Sequence, residues 1–346
     1  MTQRVGARRR RGLPLLAAAL LAACAPAIHR APPPPGWQAE LARRDAVVAS
    51  HAFPLPPSRL ERLMRDARLE IRRAEDAGGG IMGARRLEAY VPAADRTLAF
   101  KWKRAPDGGE GWNNTPRREV AAYRIQQWFL PPEAYVVPTT VARCIPLAAY
   151  APIDADAEPN LDEGRCVLGT LAIWLDDVES PEVLLDEARF YSDALYARSS
   201  AEYNLLTVLI GNRDTLVGNQ LVSTDPDAPR IYSVDNSISF RHELYNFFQP
   251  HWDQLRVPAL PRDSVERLRA VDAGDVDALS VVAELWLDAD GVFREVEPSA
   301  PFDAEHGVRL RDGVLQLGLE PGEIAALKRR LVALLDAVDR GEIPTY

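Results

Sequence analysis

Residues 205–240 read LLTVLIGNRDTLVGNQLVSTDPDAPRIYSVDNSISF. The apolar run Leu205–Ile210 ends at Gly211 and opens a polar loop carrying Asn212, Arg213, Asp214 and Asn219. A strand is expected at 220–222, a turn at Asp225-Pro226-Asp227, and a second strand at 231–234 that delivers Asp235 into Asn236-Ser237. This order, helix, loop, hairpin and carboxylate, sets the reading of everything around it.

Phosphoryl transfer needs a carboxylate to orient or deprotonate a hydroxyl, and oxygen ligands to hold a divalent cation on the phosphates. Asp214 and Asn219 stand five positions apart, the Asp-to-Asn separation of the protein-kinase catalytic loop, and Asp235 supplies a second carboxylate. Taken alone, an Asx-rich loop is equally a turn, because Asp and Asn bond their own backbone.

Upstream, Gly78-Gly79-Gly80-Ile81-Met82-Gly83 is a hairpin tip whose amides can close over phosphates or simply turn the chain. Leu87, Ala89 and Val91 share one face of a strand after it, and Ala99, Lys101 and Lys103 share one face of the next. Lys101 completes Ala-x-Lys and is the candidate phosphate contact; Lys103 is read as a solvated edge lysine. Thr115 and Pro116 start a helix whose buried stripe is Ala121, Ile125, Trp128 and Phe129. Glu119 in that helix either complements the helix dipole or pairs with Lys101.

Two strands are expected over 136–147 and 165–175, separated by an acidic loop without calcium-site spacing. Asp176-Asp177-Val178 then form a connector whose backbone could meet an adenine. Residues 182–211 read largely as helix, and helices are expected over 264–271, 276–287 and 321–338. The five His are scattered without zinc-ligand spacing, and no Gly-x-Ser-x-Gly elbow is present.

The order of these pieces resembles the protein-kinase-like fold. It is similar to its atypical members: bacterial phosphatidylinositol 3-/4-kinase-like proteins, HipA-like kinases and secretory-pathway kinases of the Golgi casein-kinase type. The resemblance rests on Arg118-Glu119-Val120-Ala121-Ala122-Tyr123, Leu209-Ile210-Gly211-Asn212-Arg213-Asp214 and Asp235-Asn236-Ser237-Ile238-Ser239-Phe240, and covers roughly 75–245. It implies an α+β, bilobal fold with a small antiparallel-sheet lobe over 58–177 and a mainly helical lobe over 178–346. It further implies that Gly78, Gly79, Gly80 and Lys101 bind a nucleotide and that Glu119 holds Lys101. Asp214 would be the catalytic base, with Asn219 and Asp235 as ligands of Mg²⁺ or Mn²⁺ and ATP as co-substrate. Asn212 stands where the usual triplet has His, and Asp-Asn-Ser replaces Asp-Phe-Gly. Those departures keep a second function open, a non-catalytic kinase-like module that binds or scaffolds in the envelope.

The first residues of the 346-residue chain carry an expectation about compartment. Residues 1–23 pair a basic start with a short apolar run, the form of an export signal and too short to span a bilayer. Leu21-Ala22-Ala23-Cys24 resembles a bacterial lipobox, which implies lipidation of Cys24, a membrane anchor and, with Ala25 next, the outer membrane facing periplasm or cell surface. An ordinary signal with an incidental Cys is the alternative. Residues 24–57 are Pro-rich and read as a stiff tether. Cleavage would take five Arg from the 41 basic residues and leave 36 against 50 acidic, a balance of about −14 that argues against a nucleic-acid partner. An exported chain with Cys144 and Cys166 left over invites one disulfide, the alternative being two buried thiols.

Overall fold

The computed structural model describes residues 28–42, 52–78, 83–214, 218–240, 252–303 and 305–346. Gly79, Gly80 and Cys24 lie outside them, as do His242 and His251. In chain order, β1 (Ile28–His29), α1 (Trp37–Ala42) and α2 (Pro57–Asp66) precede β2 (Glu70–Asp76), β3 (Arg85–Val91), β4 (Arg96–Arg104) and α3 (Pro116–Gln126). Next come β5 (Thr140–Pro146), α4 (Leu147–Tyr150), β6 (Cys166–Ile173), β7 (Val178–Glu179), β8 (Leu185–Asp186), α5 (Glu187–Ser192) and α6 (Ala194–Ile210). The chain continues through β9 (Gln220–Ser223), β10 (Ile231–Ser233), α7 (Arg262–Arg269) and α8 (Ala273–Asp277). It ends with β11 (Ala283–Leu287), β12 (Phe293–Val296), β13 (Val308–Arg311), β14 (Val314–Leu317) and α9 (Pro321–Asp339). Among these helices none is long and apolar enough to cross a membrane.

The architecture is mixed α and β with antiparallel sheets. The first sheet has the order β2-β3-β4-β6-β5. Its period-two pattern separates two faces. Leu87, Ala89, Val91, Phe100 and Trp102 point to one of them and close a core with Leu60 and Met64 of α2. Lys101 and Lys103 point to the other, beside α3. Gly169 on β6 sits under Trp102, where a Cβ would come within 2.6 Å of the indole and 2.4 Å of Lys103 O, so no side chain fits. Arg143 of β5, nearly buried, donates to Met64 O and Ala67 O and closes the C-terminus of α2.

A three-stranded sheet, β10-β9-β7, ties the connector to the Asp235 hairpin; Thr224 N donates to Asp177 O at 2.8 Å. The expected helix over 182–211 is broken. Asp186 and Asp193 each accept two backbone N–H groups, so each starts a new helix, α5 and then α6. α6 is buried on nearly all sides and ends at Gly211 with φ +62°. Only Gly adopts that conformation without a Cβ penalty.

The mainly helical reading of 178–346 needs correction. α7 and α9 lie close to the expected helices, but the helix expected over 276–287 is a short turn followed by β11. Val281 and Val282 are β-branched, and Ala283, Leu285 and Leu287 alternate with Glu284 and Trp286, a strand pattern inside an apolar run. β11 lies in an antiparallel sheet of order β12-β11-β14-β13 that the sequence reading missed entirely. Those strands are four or five residues long, too short for a periodic signal to stand out.

Of the stretch read as a tether, several described residues contact the fold. β1 pairs in parallel with β8, Ala31 N donates to Glu187 Oε2 at 3.0 Å, Trp37 packs edge-on to Tyr191 at 5.0 Å, and Leu41 is buried. The Pro-rich composition concealed these few apolar anchors.

Cys144 of β5 and Cys166 of β6 form a disulfide, with Cα atoms 5.4 Å apart. Cys144 is opposite Leu168 and Cys166 opposite Pro146, so the two Cys are diagonal neighbours on one face. The bridge closes a loop across 22 positions that contains the exposed acidic segment. Loop-closure entropy for that length corresponds to about 3 kcal/mol. Reduction, or the double change Cys144→Ser with Cys166→Ser, is expected to lower unfolding free energy by roughly that amount in urea titrations. A difference under about 0.5 kcal/mol, within the range of neutral surface changes, would show that the bridge does not constrain the unfolded chain.

Candidate functional site

A cavity of about 700 Å³ opens between the lysine face of the five-stranded sheet, the connector and the Asp235 hairpin. Lys101, Lys103, Glu119, Asp214, Asn219 and Asp235 all line it. Gly78 reaches its rim from the hairpin between β2 and β3, with φ +74°. Leu221, Val178, Val137 and Trp174 provide apolar wall next to the connector.

The ion pair expected for Lys101 belongs to Lys103. Lys103 is buried, not solvated, and its Nζ donates to Glu119 Oε1 at 2.9 Å and also to Asp235 Oδ1. Lys101 lies on the same face two residues earlier; its Nζ is 4.0 Å from Asp235 Oδ2, and a quarter of its side chain remains exposed. The register explains the exchange. Lys101 sits opposite Ala172, whereas Lys103 sits opposite Thr170, nearer the end of β4. The parity that puts Lys101 on the inner face puts Lys103 there too. That parity was the available signal; Ala-x-Lys selected the wrong member of the pair for Glu119.

Glu119 does more than hold a lysine. Its second oxygen accepts from Asn236 N at 3.0 Å, so one carboxylate joins β4 to the backbone beyond Asp235. α3 starts at Pro116 as expected, but Thr115 does not cap it through its side chain; its hydroxyl donates to Gly111 O at 3.1 Å. Glu119 is therefore held by tertiary contacts as well as by the dipole.

Asp235 has φ +63°, a left-handed conformation that Asp tolerates better than most side chains. Ser237 Oγ lies 3.3 Å from Asp235 Oδ1 and also donates to Asn113 Oδ1, from the segment before α3. Burial works against the Asp235 carboxylate, yet Lys103 and Lys101 outweigh it and hold its pKa down at about 2. Burial likewise opposes the Lys103 ammonium, and Glu119 with Asp235 more than compensates, so it stays charged well above the ordinary lysine range. For Lys101 burial wins and lowers the pKa.

The Asp214 loop is fixed by amides. Asn212 Oδ1 accepts from Asp214 N at 2.9 Å, and its Nδ2 donates to Asn236 Oδ1 at 3.3 Å. Asn219 Nδ2 donates to Asp214 O at 3.3 Å, and Val234 N to Asn219 O at 3.0 Å. Arg213 Nε is bonded to Asp253 Oδ2 at 2.7 Å on the far side. Asn212, which stands where the usual triplet has His, thus links the loop to the Asp235 turn. Asn113, Ser237 and Asn236 were not singled out as site residues by sequence, because their roles come from contacts over 24 to 124 positions.

Chemically, the cavity brings Lys101 and Lys103 together with Asp214, Asp235 and the Asn219 amide, beside Glu119. Asp235 and Asn219 offer oxygen donors of the kind Mg²⁺ or Mn²⁺ prefers, and the lysines suit phosphate. Among the described residues no cluster of three or more His, Cys, Asp or Glu has ready-made metal-site geometry.

No protein-family model matches the chain, and comparison with curated proteins finds no match. Among solved structures the chain is similar to Fam20 of hydra, determined with sugar, at 15% identity and a TM-score of 0.51. The match covers 88% of this chain and 93% of that one. At that identity the likeness speaks for the fold alone: the chain has an atypical kinase-like fold.

Proposed function

We propose that this protein is an atypical, metal-dependent kinase that transfers a phosphoryl group from ATP to a hydroxyl of a protein, sugar or lipid. One observation carries the reading: Lys103, bonded to Glu119 and Asp235, shares a single cavity with Lys101, Asp214 and Asn219. Residues far apart in sequence converge on the groups this chemistry needs. The division into a sheet lobe and a second lobe, with the cavity at their junction, belongs to this reading.

In it, the nucleotide base lies along Val137, Val178 and Leu221, and the phosphates run towards the lysines. Lys103 orients Asp235 and keeps Glu119 in place; Lys101, with no carboxylate in hydrogen-bonding range among the described residues, neutralises phosphate oxygens. Asp235 and Asn219 would hold Mg²⁺ or Mn²⁺, which supplies positive charge to the phosphates. Asp214 accepts the proton as the acceptor hydroxyl forms its bond to the γ-phosphorus and the bond to ADP breaks. A second reading, a non-catalytic binding module, is favoured by Asn212 at the position where the usual triplet has His.

The thermal midpoint of the chain lacking residues 1–23 tests the first reading. ATP with Mg²⁺ or Mn²⁺ at about a hundredfold excess over the dissociation constant is expected to add about 2.7 kcal/mol and raise the midpoint by several degrees. The rise should require the metal and vanish in Asp235→Ala. No shift at saturating nucleotide would leave the binding-module reading standing alone.

The depressed Asp235 pKa sets an acid limb. Its stabilising contribution is complete above the ordinary aspartate value, about 4, and is lost as pH falls through about 2. Urea titrations are expected to show wild type losing more stability than Asp235→Asn between those limits. Parallel pH profiles would remove the Lys103–Asp235 pair from the description.

We also propose that the protein is exported and lipid-anchored through Cys24 to the bacterial envelope. Labelled fatty acid fed to expressing bacteria should enter the wild-type chain and not Cys24→Ser; equal labelling would exclude that anchor.

A further inference from the structure

The first turn of α3 carries two arginines, Arg117 and Arg118, directly before Glu119. A helix N-terminus repels cations, and burying a guanidinium costs free energy unless it is paired. Yet the Arg117 side chain is completely buried and that of Arg118 is 5% exposed. Neither the helix nor the hydrophobic core accounts for them.

Their partners come from the far end of the chain. α9 opens with a capping box, in which Glu320 and Glu323 each accept from the other's backbone N–H. Glu323 also binds both arginines: Oε2 takes Nη1 of Arg117 and Oε1 takes Nε of Arg118, the latter at 2.8 Å. Arg117 Nη2 reaches Glu320 Oε1 at 2.9 Å, and its Nε binds Glu110 Oε2. Gly307 closes the space; a Cβ there would lie 2.5 Å from Arg117 Nε. Two helices some 205 residues apart in sequence thus meet first turn to first turn through ion pairs with fixed geometry.

We propose that Glu323 is a positioning residue for the candidate active site, acting through Arg117 and Arg118 on Glu119. Glu119 touches both Lys103 Nζ and Asn236 N, so the height of α3 sets the lysine and the Asp235 turn together. A hydrogen bond weakens steeply with sub-ångström displacement, so a small slip of α3 releases Lys103 from Glu119. α9 is anchored independently by Ile324, Leu327 and Leu331 in the main core, which makes it a fixed reference for α3. The functional meaning of this placement rests on the nucleotide reading above; the placement of Lys103 does not.

The experiment measures how fast an amine-acylating reagent modifies Lys103, by peptide mass spectrometry on the folded chain without nucleotide. Loss of the Glu119 contact frees the buried Lys103 amine from the cavity wall and exposes it to the reagent. Glu323→Ala is expected to speed labelling severalfold as the amine becomes accessible, and Glu323→Gln by less, since its amide oxygen still accepts one bond. Lys328→Ala, which breaks the exposed Lys328–Asp277 pair on the same helix, should leave the rate unchanged. A folded Glu323 variant that melts earlier but labels like wild type would overturn the proposal, as would an equal rise in Lys328→Ala. If both Glu323 variants fail to fold, Glu110→Gln at the exposed rim of the cluster decides: faster labelling supports the proposal and an unchanged rate overturns it. Magnesium-ATP titration of the same samples keeps the two readings apart. Accelerated labelling with no nucleotide binding even in wild type would retain the positioning role and remove the kinase.

Discussion

A buried ammonium is tolerated only with carboxylates at hydrogen-bonding distance, and Lys103 has two, Glu119 and Asp235, from α3 and from the turn after β10. That three-residue contact joins the five-stranded sheet, the first long helix of the chain's first half and the Asp235 hairpin. Removing either carboxylate would leave uncompensated charge in the cavity wall, so the surrounding structure must hold all three together. Much of the remaining architecture does this. The five-stranded sheet points Lys103 inward, the Arg117–Arg118–Glu323 cluster sets α3, and Asn236 with Ser237 fixes the turn.

The second half of the protein is organised around α6. Its all-round burial makes it the central pillar, and its polar residues are consumed internally. Glu202, fully buried, takes Arg198 and Arg230, and Asn204 accepts from the backbone N–H groups of Arg256 and Val257. Gly211 then turns the chain abruptly, with Arg330 of α9 donating to Leu209 O at the helix end. The loop carrying Asp214 thus leaves a rigid support.

Local chemistry was readable where one residue type imposes one conformation. Pro116 starts α3, Gly211 ends α6, and the alternation of Leu87, Ala89 and Val91 faces a core. The organising stretch fell into helix, loop and hairpin close to the expected positions, because its punctuation is local: Gly, Asx and Pro. The sheet of β11 to β14 was invisible for the opposite reason. Its strands are short, and Gly318, which joins β14 to α9, owes its identity to the Ser280 carbonyl, which a Cβ would strike at 1.7 Å. Nothing in the neighbouring sequence announces that collision.

The sequence by itself determined the types of group that meet in the cavity and the strand parity that turns lysines inward, because side-chain direction in a strand has a period of two. It placed Glu119 on a helix and Asp235 at a hairpin end for equally local reasons. Only the tertiary structure decided which lysine pairs with Glu119, since Lys101 and Lys103 are equivalent by parity and differ only in distance from α3. It alone recruited Glu323, Asn113 and Asn236, and laid Trp37 and Leu41 of the Pro-rich segment against the fold. Ion pairs and packing depend on distance in space, and a separation of 132 positions between Lys103 and Asp235 carries no local signature.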